Sequence, residues 1–260
     1  MRKANVYEDT AFLYDYDTRD IVQADIPFYL EYATKYPGKI LELACGTGRV
    51  AISLAKNGFK TYGIDLSDSM LEQLELKLAL EPENVKSNIA FDKFDISDFD
   101  VGRSFSLVII PFRSFQSLIS EDSQRGCLKC VHKHLDMNGV FIVNAFKPYK
   151  RLDESWVYPE MVQWETIDEN TGSKITKKHK GNKIDVSRQI IYPEMIYQIT
   201  KPNGELKEFR GQLELKYYYY DQLKGLLESE GFCIVDEYGY YDKSDINQGK
   251  EMIFVCRKVN

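Results

Sequence analysis

The residues best suited to chemistry lie between Lys39 and Met70, in KILELACGTGRVAISLAKNGFKTYGIDLSDSM. One carboxylate, Glu42, stands near the end of a short apolar run, shortly before the glycine pair Gly46 and Gly48. A second, Asp65, closes the next apolar run. The glycines remove the Cβ atoms that would keep a ligand off the backbone. A helix starting at Arg49 leaves free N–H groups facing the same space. Asp65, at the carboxyl end of a strand, is placed to accept hydrogen bonds from a ribose diol. Together these parts suit an adenosine-containing ligand. Glu42 narrows the choice, because a carboxylate beside the phosphate path repels a pyrophosphate and attracts a sulfonium or an amino-acid ammonium.

The elements that hold these groups are a strand at Ile40–Ala44, a tight turn, a helix over Arg49–Asn57 closed by Gly58, and a strand at Lys60–Ile64. This is the layout of a nucleotide-binding βαβ half. Gly46 to Ala51 also fits the G-x-G-x-x-G/A dinucleotide fingerprint, a weak match by itself. It leaves an NAD-dependent oxidoreductase as the alternative, which tolerates loss of the Glu42 carboxylate.

ELACGTG followed by Asp65 resembles motif I and the ribose-binding acid of the class I S-adenosylmethionine-dependent methyltransferases. The resemblance implies S-adenosyl-L-methionine as cofactor and S-adenosyl-L-homocysteine as product. It implies cofactor contacts from Tyr14, Glu42, Ala44, Gly46, Gly48, Asp65, Leu66, Met70, Asp95, Ile96 and Pro111. Asp95 would bind the adenine amino group and the Ile96 N–H a ring nitrogen. Tyr14-Asp15 is similar to a Tyr-Asp pair that precedes the family's lid over cofactor and acceptor. After the fourth strand, Phe105–Ile110, the catalytic Asn/Asp-Pro-Pro-Tyr of enzymes that methylate DNA bases or glutamine is absent. PFRSFQSL there looks like the loop of small-molecule enzymes, including the nucleotide-amino-sugar N-methyltransferases.

Composition sets outer bounds. The 260 residues, 43% hydrophobic and 28% charged, suit an ordinary globular chain with a full core. A net charge of −6 offers no footprint for nucleic acid or an anionic membrane. No run of 18 apolar residues and no charged-then-apolar leader is visible, so neither a span nor a secretory signal is expected. Five scattered cysteines suggest reduced thiols and a cytoplasmic location.

Along the chain, the pattern predicts a helix over Ser67–Leu80 capped by Ser67, a third strand at Ile89–Phe94, a helix over Ser120–Leu135, a turn at Asp136–Gly139 and a fifth strand at Val140–Ala145. Cys127-x-x-Cys130 with His132 and His134 invites a zinc reading. On one helix at about 100° per residue those side chains diverge, so no metal is expected. From Lys147 the helical period stops. Met161–Ile167, Lys174–Lys180, Ile184–Tyr192, Ile196–Lys201 and Leu206–Leu215 read as extended segments, with turns at Asn170-Thr171-Gly172, Gly181-Asn182 and Pro202-Asn203-Gly204. A helix over Gln222–Glu230, capped by Asp221, and strands at Phe232–Tyr238 and Met252–Arg257 finish the chain. That ending also resembles the methyltransferase class.

The expected fold is therefore α/β, a Rossmann-like seven-stranded mostly parallel sheet with helices on both faces, plus an inserted antiparallel sheet. Residues 1–36 would form lid helices and 37–147 the cofactor-binding core. Residues 148–216 would form the insert, and 217–260 would complete the core. Trp156, Trp164, Tyr192 and Tyr197 give the insert large amphipathic rings that suit a ligand face or a subunit interface. In sugar N-methyltransferases an added sheet at this point serves substrate binding and dimer contacts, so acceptor binding and a homodimer through the insert are its expected uses, and a structural cover is the alternative.

Methyl transfer from a sulfonium needs the acceptor held roughly 3 Å from the methyl with water excluded. A base is required only when the nucleophile arrives protonated. No residue stands out as that base, which suits an amine, and none is assigned as catalytic. Tyr14, Arg113, Trp156 and His179 are the acceptor candidates, for a small molecule rather than nucleic acid or membrane. A non-catalytic cofactor-binding regulatory module, its insert docked on a partner, is the remaining alternative.

Overall fold

The computed structural model describes residues 7–259; residues 1–6 of the expected lid lie outside the described residues. Seven strands form one sheet: β1 (Lys39–Leu43), β2 (Lys60–Asp65), β3 (Ile89–Lys93), β4 (Phe105–Ile110), β5 (Leu135–Phe146), β11 (Phe232–Tyr238) and β12 (Glu251–Lys258). Their order is β11-β12-β5-β4-β1-β2-β3. Pairs among β1 to β5 are parallel, while β12 lies antiparallel between β5 and β11. β4 is buried on both faces, with Leu107, Val108, Ile109 and Ile110 all inaccessible, as a continuous apolar run in a parallel sheet requires.

Helices cover the two faces. α1 (Ile26–Lys35) and α2 (Arg49–Lys56) lie on one side, where Phe28, Tyr29, Val50 and Leu54 meet Ile40, Leu107 and Ile142. α5 (Glu121–His134) and α6 (Tyr220–Ser229) lie on the other, where Leu128, Val131, Leu223 and Leu227 meet Val108, Phe141 and Phe254. α3 (Asp68–Ala79) and the short α4 (Glu83–Lys86) follow β2. Ser67 caps α3 by accepting the Met70 N–H, and Ser120 caps α5 by accepting the Ser123 N–H.

The insert is a separate antiparallel sheet of β6 (Tyr158–Ile167), β7 (Lys174–Asp185), β8 (Ile190–Thr200), β9 (Leu206–Gln212) and β10 (Leu215–Lys216). One of its faces packs Trp164, Ile175 and Tyr197 onto Leu13 of a 3-10 turn, Ala11–Tyr16. The N-terminal segment is thus clasped between the insert and the main sheet.

Three local expectations are corrected. Asp136–Gly139 is not a turn between elements but an irregularity inside β5, where pairing jumps from Phe105–Leu135 to Leu107–Val140. Gly181-Asn182 is a bulge within β7, not a hairpin. A Cβ at Gly181 would stand 2.6 Å from the Tyr158 ring, so glycine is there for close packing. β8 consequently runs unbroken through Pro193, which sits opposite that bulge where a ladder donor is not needed. Finally, α6 begins at Tyr220 with Tyr219 as N-cap, whose N–H is accepted by the Gln222 side chain. Asp221 lies in the first turn, favoured there by the helix dipole.

Candidate functional site

The parallel strands place their carboxyl ends together, and the strand order reverses direction between β1 and β4. That reversal opens a crevice, the position at which open α/β sheets take ligands. Glu42 sits at this point, in register with Gly63 on β2 and Ile109 on β4. The chain leaves β1 through Ala44 in a left-handed conformation, φ 55°, and turns at Gly46 (φ 55°) and Gly48 (φ 77°) into α2. A Cβ at Gly46 would meet nothing nearer than the Met70 Sδ at 3.9 Å, so the space above the turn is open.

Glu42 is only 2% exposed, and its Oε2 has no hydrogen-bond partner. Among the described residues it is the one buried carboxylate oxygen left in this state. Burial pushes its pKa up to about 8, against the pull of Arg49 and the Ala51 N–H. An orphaned carboxylate oxygen is costly unless a donor reaches it. A cationic ligand above the glycine turn would supply that donor, and a polyphosphate would not.

Asp65 is positioned by its own backbone contacts. Its Oδ2 accepts the Gly46 N–H at 2.8 Å and its Oδ1 the Ser67 N–H at 2.9 Å. The acid at the end of β2 therefore ties the glycine turn to the start of α3. Burial raises the Asp65 pKa, while those backbone donors lower it.

The N-terminal segment closes over this turn. The Thr47 hydroxyl donates to Asp15 Oδ1 at 2.8 Å, and the Lys77 ammonium reaches Asp15 Oδ2 at 2.8 Å and Thr47 Oγ1 at 3.1 Å. Arg49 grips the fully buried Asp25 through both guanidinium nitrogens, one at 2.6 Å, and stacks 5.2 Å over the Phe112 ring. Tyr7 and Tyr14 meet edge to face at 6.0 Å. Burial raises the pKa of both hydroxyls, for Tyr7 to about 12.

The other sequence candidates divide. Met70 is buried, its Sδ 3.9 Å from where a Cβ on Gly46 would stand, and Pro111 is buried where β4 ends. Leu66 is 52% exposed. Asp95 is exposed and accepts the Ser97 N–H and hydroxyl, next to buried Ile96. Tyr14 follows Leu13, which packs against Tyr197 of the insert. His179 accepts or donates a 3.1 Å hydrogen bond with Tyr158, and Trp156 stands edge-on to that tyrosine at 5.3 Å. Arg113 belongs to a different group. It follows Phe112, both in left-handed conformations, and pairs with buried Glu251 while its N–H donates to Asn144. Asn144 in turn donates to Glu251 at 3.0 Å.

Asp25 and Lys177 lack a legible sequence signal and join their neighbours only through contacts between segments distant in sequence. Asp15 and Thr47 are different, since they flank residues already singled out.

The histidines of α5 stand at the opposite end of the sheet. His134 Nδ1 meets the Cys130 carbonyl at 2.7 Å, and its Nε2 accepts the Val101 N–H ahead of β4. His132 lies against Gly231 and Val259. Cys127 and Cys130 are free thiols. Among the described residues no three His, Cys, Asp or Glu side chains gather as metal ligands. No described helix is long and apolar enough to cross a membrane.

Comparison with known proteins bears on this geometry. Residues 40–139, from β1 into β5, match the family model described as a methyltransferase domain. The chain carries a methyltransferase domain. A Geobacillus sp. protein with a provisional methyltransferase name is 23% identical over 97% of this chain and 99% of its own. The Streptomyces venezuelae dTDP-3-amino-3,4,6-trideoxy-alpha-D-glucopyranose N,N-dimethyltransferase is 26% identical, over 54% of this chain and 56% of that protein. In fold, the CcbJ methyltransferase from Streptomyces caelestis superposes with a TM-score of 0.80, at 22% identity, over 99% of this chain and 100% of that one. An amino pentose methyltransferase from Micromonospora echinaspora, solved with SAM bound, superposes with a TM-score of 0.70, at 18% identity, over 100% of this chain and 99% of that one. The class I methyltransferase resemblance carried by ELACGTG and Asp65 therefore holds for this methyltransferase domain, and so does the expected seven-stranded sheet with an inserted antiparallel sheet.

Proposed function

We propose that this methyltransferase moves a methyl group from S-adenosylmethionine to an amine on a small-molecule acceptor. The observation that carries the donor is the unpartnered Oε2 of buried Glu42 beside an open glycine turn. Glu42 would receive the donor's ammonium, Asp65 its ribose hydroxyls, and the Gly46–Gly48 backbone would lie against it. Met70, Asp95, Ile96, Leu66 and Pro111 would complete the adenosyl pocket, with Tyr14 above it and Ala44 at its base. The bound sulfonium supplies an electrophilic methyl with a neutral leaving group.

The chain's own work is then to orient the acceptor and exclude water. The N-terminal segment, held down by the Asp15–Thr47–Lys77 and Asp25–Arg49 contacts, provides the cover. The acceptor would lie between that segment and the face of the insert bearing Tyr197 and His179. An amine is favoured because two similar proteins are named for amino-sugar or amino-pentose acceptors. An amine that arrives neutral needs no dedicated base.

Titration calorimetry with S-adenosylmethionine, S-adenosylhomocysteine and NAD tests the donor. Binding of the first two and not the third is expected, and NAD binding in their place would overturn the reading. Transfer of labelled methyl groups over a panel of small amines and their hydroxyl analogues tests the acceptor, with amines favoured.

A further inference from the structure

The segment that carries Asp95 and Ile96 leaves β3 and is docked along α5 before it enters β4. Three residues of one helix stripe receive it: Gly126, Cys130 and His134. The Cys130 Sγ accepts the Phe99 N–H at 3.4 Å, and the His134 Nε2 accepts the Val101 N–H at 3.1 Å. Phe99 is buried, its ring 4.8 Å from that of His134, and Lys133 pairs with Asp100 at 2.6 Å. At the end nearest Asp95, a Cβ on Gly126 would stand 2.4 Å from the Ser97 carbonyl oxygen. The contacts therefore step by two along the segment and by four along the helix. Four helical residues advance about 6 Å, a distance that two residues of open chain span.

We propose that Gly126, backed by Cys130 and His134, is a positioning residue that sets Asp95 against the donor's adenine and so decides how strictly the site requires that base. The proposal rests on the reading that Asp95 binds the adenine amino group. Ser97 joins the two: its N–H and its hydroxyl both donate to Asp95 Oδ1, at 2.8 and 2.7 Å. Both bonds fall on Oδ1, so the other carboxylate oxygen is the one available to a ligand's amino group. A side chain at Gly126 displaces the Ser97 carbonyl, and the two bonds from Ser97 carry that displacement to the Asp95 carboxylate. Cys130 and His134 hold the rest of the segment in register, so the loop cannot absorb the shift by sliding along the helix. Glycine is a poor helix former, and Gly126 lies in the interior of Glu121–His134. The close approach of Ser97 accounts for its presence there.

The test titrates the full chain with S-adenosylhomocysteine and with S-inosylhomocysteine, in which a carbonyl replaces the adenine amino group and N1 carries a proton. Native protein is expected to prefer the adenosyl compound by about tenfold or more, because a site built to pair with a polar group rejects the analogue lacking it. Gly126→Ala is expected to weaken the adenosyl compound about fivefold and the inosyl compound less than about twofold, so the preference shrinks. Asp95→Ala should abolish the preference, and adding Gly126→Ala to it should cost less than about twofold more, since the glycine acts through that carboxylate. The Cys130 variants ask the same question without added bulk. Cys130→Ala should reduce the preference, and Cys130→Ser, whose hydroxyl still accepts the Phe99 N–H, should restore it. Equal weakening of both compounds by Gly126→Ala, a full further loss in the Asp95→Ala background, or a native preference in both Gly126→Ala and Cys130→Ala would each overturn the positioning role. Failure of the adenine reading shows separately, as a native preference that survives Asp95→Ala, and it takes this proposal with it.

Discussion

Arg49, the first residue of α2, holds Asp25, the residue before α1, in a two-pronged ion pair, with Asp25 completely inaccessible to solvent. The pair fastens the helix that precedes the main sheet to the first turn of the helix that follows the glycine turn. Because Arg49 also donates to the Val22 carbonyl, one guanidinium organises the whole approach of the N-terminal segment.

Removing one partner of a buried pair leaves an uncompensated charge and costs about 3 kcal/mol. Asp25→Ala is expected to lower the urea midpoint accordingly. Arg49→Lys should recover little of the geometry, since an ammonium cannot make both contacts. Equilibrium urea unfolding of the two variants checks this, and the double variant should lose less than the sum of the singles.

Glu42 sets a pH dependence with a definite sign. Its folded pKa, near 8, lies above the ordinary carboxyl value, so the unfolded chain gives up this proton first. Its contribution to stability is therefore greatest below about pH 4.5 and is lost as pH rises through 8. Glu42→Gln should raise Tm relative to native at pH 8 and scarcely at pH 4.5. Donor binding should run the other way: an ammonium prefers the ionised carboxylate, so affinity for S-adenosylmethionine should rise by up to about tenfold per pH unit below 8. The slope is best read below pH 7.5, before an α-amino group itself titrates at roughly 7.7–8.0. Glu42→Gln should abolish that slope.

The two turn glycines should fail differently. A Cβ at Gly48 would fall 2.2 Å from Leu74 Cδ1, so Gly48→Ala is expected to cost about 1–3 kcal/mol, partly recovered in the background of Leu74→Ala. Gly46→Ala meets open space, and its strain alone costs about 1–2 kcal/mol. Its methyl would point into the ligand volume, so affinity for S-adenosylmethionine should fall more than stability does. Calorimetry beside thermal melting separates the two cases.

The cysteine and histidine cluster on α5 provides a negative control. His132→Ala, Cys127→Ser and treatment with EDTA should each leave affinity for S-adenosylmethionine unchanged, while Cys127→Ser lowers Tm because its thiol is fully buried. A loss of binding on EDTA treatment would contradict the placement of the donor at β1 and β2.

Local chemistry made much of this readable from residues alone. A continuous apolar run specifies a doubly buried strand wherever it lies, as at Phe105–Ile110. A serine before a helical stripe caps it, as at Ser67. Glycines at 46 and 48 announce a turn no side chain may crowd, and an acid at each neighbouring strand end completes the crevice. Such signals act over a few residues, so they survive without knowledge of the fold. Tertiary packing decided the rest. Gly181 reads as a turn residue, yet the Tyr158 ring requires a bulge there, and Asp136–Gly139 is absorbed into β5 by its pairing with β4. Asp25, Glu251 and Lys177 carry no motif. Each acquires its role from a partner far away along the chain, because burial and charge are properties of what surrounds a side chain.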